Sequence, residues 1–215
     1  MRKIMVGLLC VFVLALPISC ADMSATQTGG LIGAGTGGLL GALIGKDKPL
    51  LGAAIGVAVG ALAGMAIGYY IDKKEKNATE TAQALDYQPS QGTVIKVEDV
   101  RMEPETVRGG DTSKLVVTYA LADSDPNKTV QVKETRQIWS GDQQLKQIGP
   151  VSKNRNAGTY VTEQEVTFPK DLPEATYTLR GTVEAAGKAS TKKSNFQVVK
   201  IQNGSEVVFA FRKID

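Results

Sequence analysis

The chain has 215 residues, a formal net charge of +3 at neutral pH, 22% charged and 42% hydrophobic residues, two cysteines and no histidine. Without histidine there is no Ser-His-Asp or Cys-His hydrolytic arrangement, no His-metal site and none of the commonest general base, so no enzyme is expected. From Gly92 onward 18 Lys/Arg and 16 Asp/Glu are interspersed, which argues against a concentrated basic face and against nucleic acid as a partner.

The first twenty residues set the compartment. Arg2 and Lys3 make a positive start, residues 4–16 an apolar stretch, and Pro17-Ile18-Ser19-Cys20-Ala21 a small-residue exit, the layout of a signal peptide over residues 1–19. Cys20, directly after this stretch, resembles the lipidated cysteine of the bacterial lipobox, although Pro17 stands where an aliphatic residue is usual. Ordinary cleavage after Ala21 and an uncleaved anchor are the alternatives. Cys10 lies in the apolar stretch and Cys20 at the cut, so the mature chain has no pair for an internal disulfide. Residues 20–28 read as a short lipidated tether.

Glycine then recurs at every fourth position in two runs. Gly29, Gly33, Gly37, Gly41 and Gly45 form the first; Gly52, Gly56, Gly60, Gly64 and Gly68 form the second. Each run clears one helix face of side chains and lets another helix approach closely. The seven-residue step between runs falls at Lys46-Asp47-Lys48-Pro49, where proline disfavours helix at the preceding residue. The spacing predicts two helices and a turn over 29–71, with a second leg at 49–71 long enough to span a bilayer. Tyr69 and Tyr70 are expected at the membrane interface. No cofactor is implied; the expected partners are membrane lipid and, through the glycine faces, further copies of the chain. This segment resembles the glycine-zipper two-transmembrane families of bacterial envelope proteins, including lipidated surface antigens. The resemblance implies an envelope-anchored protein, with the outer membrane favoured and the remainder in the periplasm or at the cell surface. Glycine zippers also occur in channels, so an oligomeric pore with a β-sandwich cap is the alternative.

Residues 72–91 are polar and read as a stalk, ended by Pro89-Ser90-Gln91-Gly92. From residue 92 to 215 alternation takes over. Segments 93–102, 114–122, 129–139, 143–151, 159–168, 176–185, 190–201 and 205–213 read as eight strands, because side chains two apart share a face. Asn203-Gly204 is a two-residue hairpin signal. The fold class is therefore multi-domain: signal peptide, α-helical glycine-zipper membrane hairpin, then an all-β sandwich. The last segment resembles bacterial immunoglobulin-like or fibronectin-type modules, with Tyr177 after Leu172-Pro173 placed as a tyrosine corner. Such a sandwich is expected to act as a structural or binding module, for an envelope protein or a polysaccharide.

Two chemical coincidences need weighing. Asp123, Asp125, Asn127 and Glu134 fall at calcium-loop spacing, but Lys128 occupies the position that requires glycine. An acidic loop between strands is the expected reading. Glu163 and Glu165 share one face of a predicted strand and read as solvated. No metal site is expected.

Overall fold

The computed structural model describes residues 57–108, 110–170, 172–204 and 206–214. It opens on a helical stretch at 57–63, followed after Gly64 and Met65 by β1 (Ala66–Lys76) and a short helix α1 (Ala78–Ala84). Then come β2 (Val94–Glu103), β3 (Thr106–Arg108), β4 (Thr112–Ala122), β5 (Val130–Ser140) and β6 (Gln143–Arg155). The chain ends with β7 (Gly158–Thr167), β8 (Ala175–Ala185), β9 (Lys188–Asn203) and β10 (Glu206–Ile214).

These strands form two antiparallel sheets. One has the order β1-β7-β4-β2 and the other β3-β10-β9-β8-β5-β6. All eight expected strands are present within a few residues of their expected ends. Their interior faces follow the alternation: Val132, Glu134, Arg136 and Ile138 on β5 are buried, as are Tyr177, Leu179, Gly181 and Val183 on β8. Together with Leu115, Val117, Tyr119 and Leu121 of β4 they fill the space between the sheets. At Gly181 the sheets come so close that a Cβ would lie 2.8 Å from Cγ2 of Val100 and 3.0 Å from Cγ2 of Val117. Only glycine fits there without a shift of β2 or β4.

The Tyr177 hydroxyl donates to the carbonyl of Pro173 at 2.8 Å, the tyrosine-corner bond, and the ring stacks on Phe196 at 5.5 Å. Trp139, by contrast, is only half-buried and does not serve as a core tryptophan.

Two expectations are corrected. The second zipper leg does not run as one helix to residue 71: helix stops at 63, and Ala66–Lys76 is an edge strand paired with β7 from Ala66↔Thr167 to Lys76↔Thr159. Beyond Gly64 the run Ile67-Gly-Tyr-Tyr-Ile71 is β-branched and aromatic, chemistry that suits a pleated surface better than a helix. Nor is 72–91 a stalk. Asn77 and Glu80 cap α1 reciprocally, the Asn77 side chain accepting from the Glu80 amide and the Glu80 carboxylate from the Asn77 amide. Thr81 on α1 is fully buried and shares a 3.0 Å hydroxyl bond with Thr159 of β7. The Tyr87 hydroxyl reaches back to the carbonyl of Gly92 at 2.9 Å. The polar segment is folded onto the sandwich.

Candidate functional site at the zipper junction

The glycine-zipper residues divide into three groups. Gly29, Gly33, Gly37, Gly41, Gly45, Gly52 and Gly56 lie outside the described residues, as does Cys20. Gly60 sits buried in the helical stretch and Gly64 in the turn that closes it, its amide donating to the Ala61 carbonyl. Gly68 is a strand residue. The register of β1 against β7 shifts between Ile67 and Tyr70, and the Gln164 amide donates to the carbonyls of Gly68 at 2.9 Å and Tyr69 at 3.3 Å. That bulge turns Tyr70 inward and leaves Tyr69 exposed. A Cβ at Gly68 would stand 3.0 Å from the Glu165 side chain, so the glycine serves strand packing.

The junction is built into the core. Ala58, Leu62 and Met65 belong to the same continuous cluster of buried side chains as the sandwich interior, and Lys146 of β6 donates to the Ala63 carbonyl. Two residues of β1 then reach into a buried polar network. The Tyr70 hydroxyl donates to Oε1 of Glu134 at 2.8 Å, and Tyr119 of β4 donates to the same oxygen at 3.0 Å. Arg155, at the end of β6, donates to the Tyr119 oxygen at 3.3 Å and pairs with Asp72 of β1. Its guanidinium also lies 4.6 Å above the Tyr160 ring.

Arg136 spans the two sheets. It leaves β5 and donates to the carbonyl of Leu115 on β4 and to the carbonyl and hydroxyl of Thr162 on β7. Glu134 and Arg136 are each 1% exposed, with Oε2 of Glu134 3.6 Å from Nη2 of Arg136. That oxygen has no hydrogen-bond donor, so the ion pair with Arg136, strengthened by the low dielectric, is what offsets the cost of burying its charge. Burial, followed by the neighbouring Glu134 charge, holds the Tyr70 and Tyr119 hydroxyls far above the ordinary phenol range. They are locked as donors. Burial lowers the Arg136 guanidinium, with Glu134 opposing the shift. The network fastens β1, the first strand after the zipper, to both sheets; nothing in it is arranged to transfer a proton to a ligand.

The remaining sequence candidates are not brought together. Glu134 lies in the sandwich interior, so it does not complete a calcium loop with Asp123. Asp123 instead accepts from the Thr93 hydroxyl at 2.5 Å, the Asp125 amide and the Lys128 ammonium. The Thr93 bond first, then the Asp125 amide and Lys128, outweigh burial and hold its carboxyl down at about 2. Glu163 pairs with Lys114 at 2.6 Å. Among the described residues no cluster of acidic, Cys or His side chains could hold a metal ion, and no helix is long and apolar enough to cross a membrane. Sequence reasoning missed Tyr70 and Asp72 as anchors. The signal was the alternation of Tyr70, Asp72 and Lys74, hidden beneath the four-residue glycine period.

Residues 1–72 match the YMGG-like Gly-zipper family. The match covers the glycine runs and ends inside β1, so the chain carries a glycine-zipper segment joined to a β-sandwich. No curated protein matches the chain. Among solved structures, the sporulation control protein Spo0M of Bacillus subtilis is 13% identical over 47% of this chain and 47% of its own, with a TM-score of 0.33. A β-glucuronidase of Parabacteroides merdae is 16% identical over 55% of this chain and 15% of the enzyme, at 0.31. A conjugative transposon lipoprotein from Bacteroides eggerthii is 10% identical over 51% of this chain and 97% of its own, at 0.26. The chain thus spans about half or less of the first two, and at these scores none of the three bears on function.

Proposed function

We propose that this is a bacterial envelope lipoprotein that holds a non-catalytic β-sandwich directly against a membrane. Export follows from the leader; acyl chains on Cys20 and the apolar zipper up to Gly56 provide the hold, and the glycine faces bring copies together helix on helix. The observation that carries the reading is the glycine-zipper match over residues 1–72, running into the sandwich with only Gly64 and Met65 between helix and strand. The absence of histidine from the whole chain supports a binding or structural module.

Length argues against the two-span pore. With 57–63 packed on the sandwich, at most residues 49–56 of the second leg are left for the membrane, and even a continuous helix of eight residues would reach only about 12 Å against a hydrocarbon core of about 30 Å.

Palmitate labelling tests the reading. The wild-type chain is expected to incorporate label and to sediment with membranes through an alkaline carbonate wash. Cys20→Ala is expected to lose the label and to become partly extractable, the zipper retaining the rest. A full-length mature chain that is unlabelled and freely soluble without detergent would overturn it.

A further inference from the structure

The outer face of the six-stranded sheet carries a registered array of polar side chains that the fold does not require. Across β6, β5, β8 and β9 one row reads Gln147, Gln137, Arg180, Lys193. The next row reads Gln144, Trp139, Thr178, Asn195. Neither row contains a carboxylate. At about 4.8 Å per strand the array is roughly 15 Å across.

Its centre is preorganised. The Arg180 guanidinium lies 4.2 Å above the Trp139 ring, and its buried Nε has no hydrogen-bond partner. Trp139, the chain's single tryptophan, donates through Nε1 to Gln137, whose amide in turn donates to both Gln144 and Gln147. The Thr178 hydroxyl donates to the Asn195 side-chain oxygen. These bonds fix the amides while leaving the Gln144, Gln147 and Asn195 amide nitrogens as donors toward solvent. Neither Arg180 nor Lys193 is ion-paired among the described residues.

A half-buried arginine held flat by an aromatic ring, with free N–H groups and no acid beside it, is complementary to a carboxylate. The surrounding amides and hydroxyls suit a ligand dense in hydroxyl groups. Within the array β5, β8 and β9 are each paired on both sides, so an extended peptide lying across the face gains no ladder bonds there.

We propose that this face binds an acidic polysaccharide, its carboxylates on Arg180 and Lys193 and its hydroxyls on Gln144, Gln147 and Asn195. The proposal supplies a ligand class to the sandwich of the reading above and rests on that reading only in taking the sandwich as a binding module.

The test is calorimetric titration of the detergent-solubilised full chain with polygalacturonate, neutral dextran and polyglutamate. Polygalacturonate is expected to bind, with affinity lowered roughly tenfold by Arg180→Gln or by Lys193→Gln. Lys96→Gln, the same charge change on β2 of the other sheet, is expected to leave affinity unchanged. Lys193 is exposed, so its variant keeps the test sound should Arg180→Gln disturb packing. Any of four outcomes would overturn the proposal: no binding of polygalacturonate, equal binding of dextran, equal binding of polyglutamate, or equal weakening by Lys96→Gln. Because the titration is done off the membrane, its outcome is separate from that of the labelling experiment.

Discussion

At the scale of single residues, the costliest decision in this chain is to bury a carboxylate and a guanidinium between two sheets. Glu134 and Arg136 sit two apart on β5 and so both face inward, where alternation would otherwise place aliphatic side chains. Arg136 is satisfied by Leu115 and Thr162 across the gap; Glu134 depends on Tyr70 and Tyr119. Removing Glu134 leaves the buried guanidinium uncompensated. Glu134→Ala is therefore expected to destabilise the protein by about 3 kcal/mol or more, and Tyr70→Phe, which deletes one of two donors, by about 1 kcal/mol. Urea unfolding followed by tryptophan fluorescence measures both. Equal effects would mean that Glu134 is held by the tyrosines alone. Asp123 makes a contrasting case, since its partners depress its carboxyl to about 2 from an ordinary 3.8. A depressed acid contributes stability that is fully present above its unfolded pKa and lost as pH falls through the folded one. Wild-type stability should thus decline between about pH 4 and pH 2 more steeply than that of Asp123→Asn, measured by thermal unfolding across that range.

Elements were legible in proportion to how long a single period ran undisturbed. β8 shows period two over eleven residues and was plain from sequence, whereas β4, buried on both faces from Leu115 to Ala122, is marked by its unbroken apolar and β-branched run. β3 has three residues, too few for any period to register. β1 carried two periods at once. Glycines 60, 64 and 68 extend the helical four-residue pattern into it, while Tyr70, Asp72 and Lys74 alternate in register with Gln164, Thr162 and Tyr160 of β7, Tyr70 partly buried and the other two exposed. The bulge at residues 68 and 69 shifts the phase of that alternation, so a strict test of every second residue fails across it. What decides for strand is tertiary: β7 offers an open edge, and Glu134 and Arg155 wait for Tyr70 and Asp72. The β-branched and aromatic run at 67–71 favours a strand locally, but the partners that fix it lie outside 66–76. The same reason hid the junction site, since two of its members, Tyr70 and Asp72, stand on the strand that was not seen. α1 lies inside the segment read as a stalk, and its docking depends on Thr81 meeting Thr159, a contact 78 residues apart.

On the scale of the whole molecule, these two corrections move the domain boundary. A sandwich beginning at Gly92 would lack β1 and α1, and with them the Tyr70 donor to Glu134 and the Asp72 partner of Arg155. It would also expose the edge of β7 as an unpaired strand rich in Val and Thr, a template for aggregation. Losing the helical stretch as well uncovers the core that Leu62 and Met65 close. The folding unit therefore starts inside the second glycine run, and the zipper and the sandwich share residues instead of being joined by a tether. A fragment of residues 92–215 is accordingly expected to be insoluble or to melt at least about 10 °C below a fragment of residues 57–215, given that about 1 kcal/mol corresponds to several degrees in a domain of this size. Differential scanning calorimetry with analytical ultracentrifugation distinguishes the two. If the shorter fragment were monomeric and equally stable, β1 would be an ornament on a complete sandwich, and a swivelling stalk between membrane and module would again be the better description.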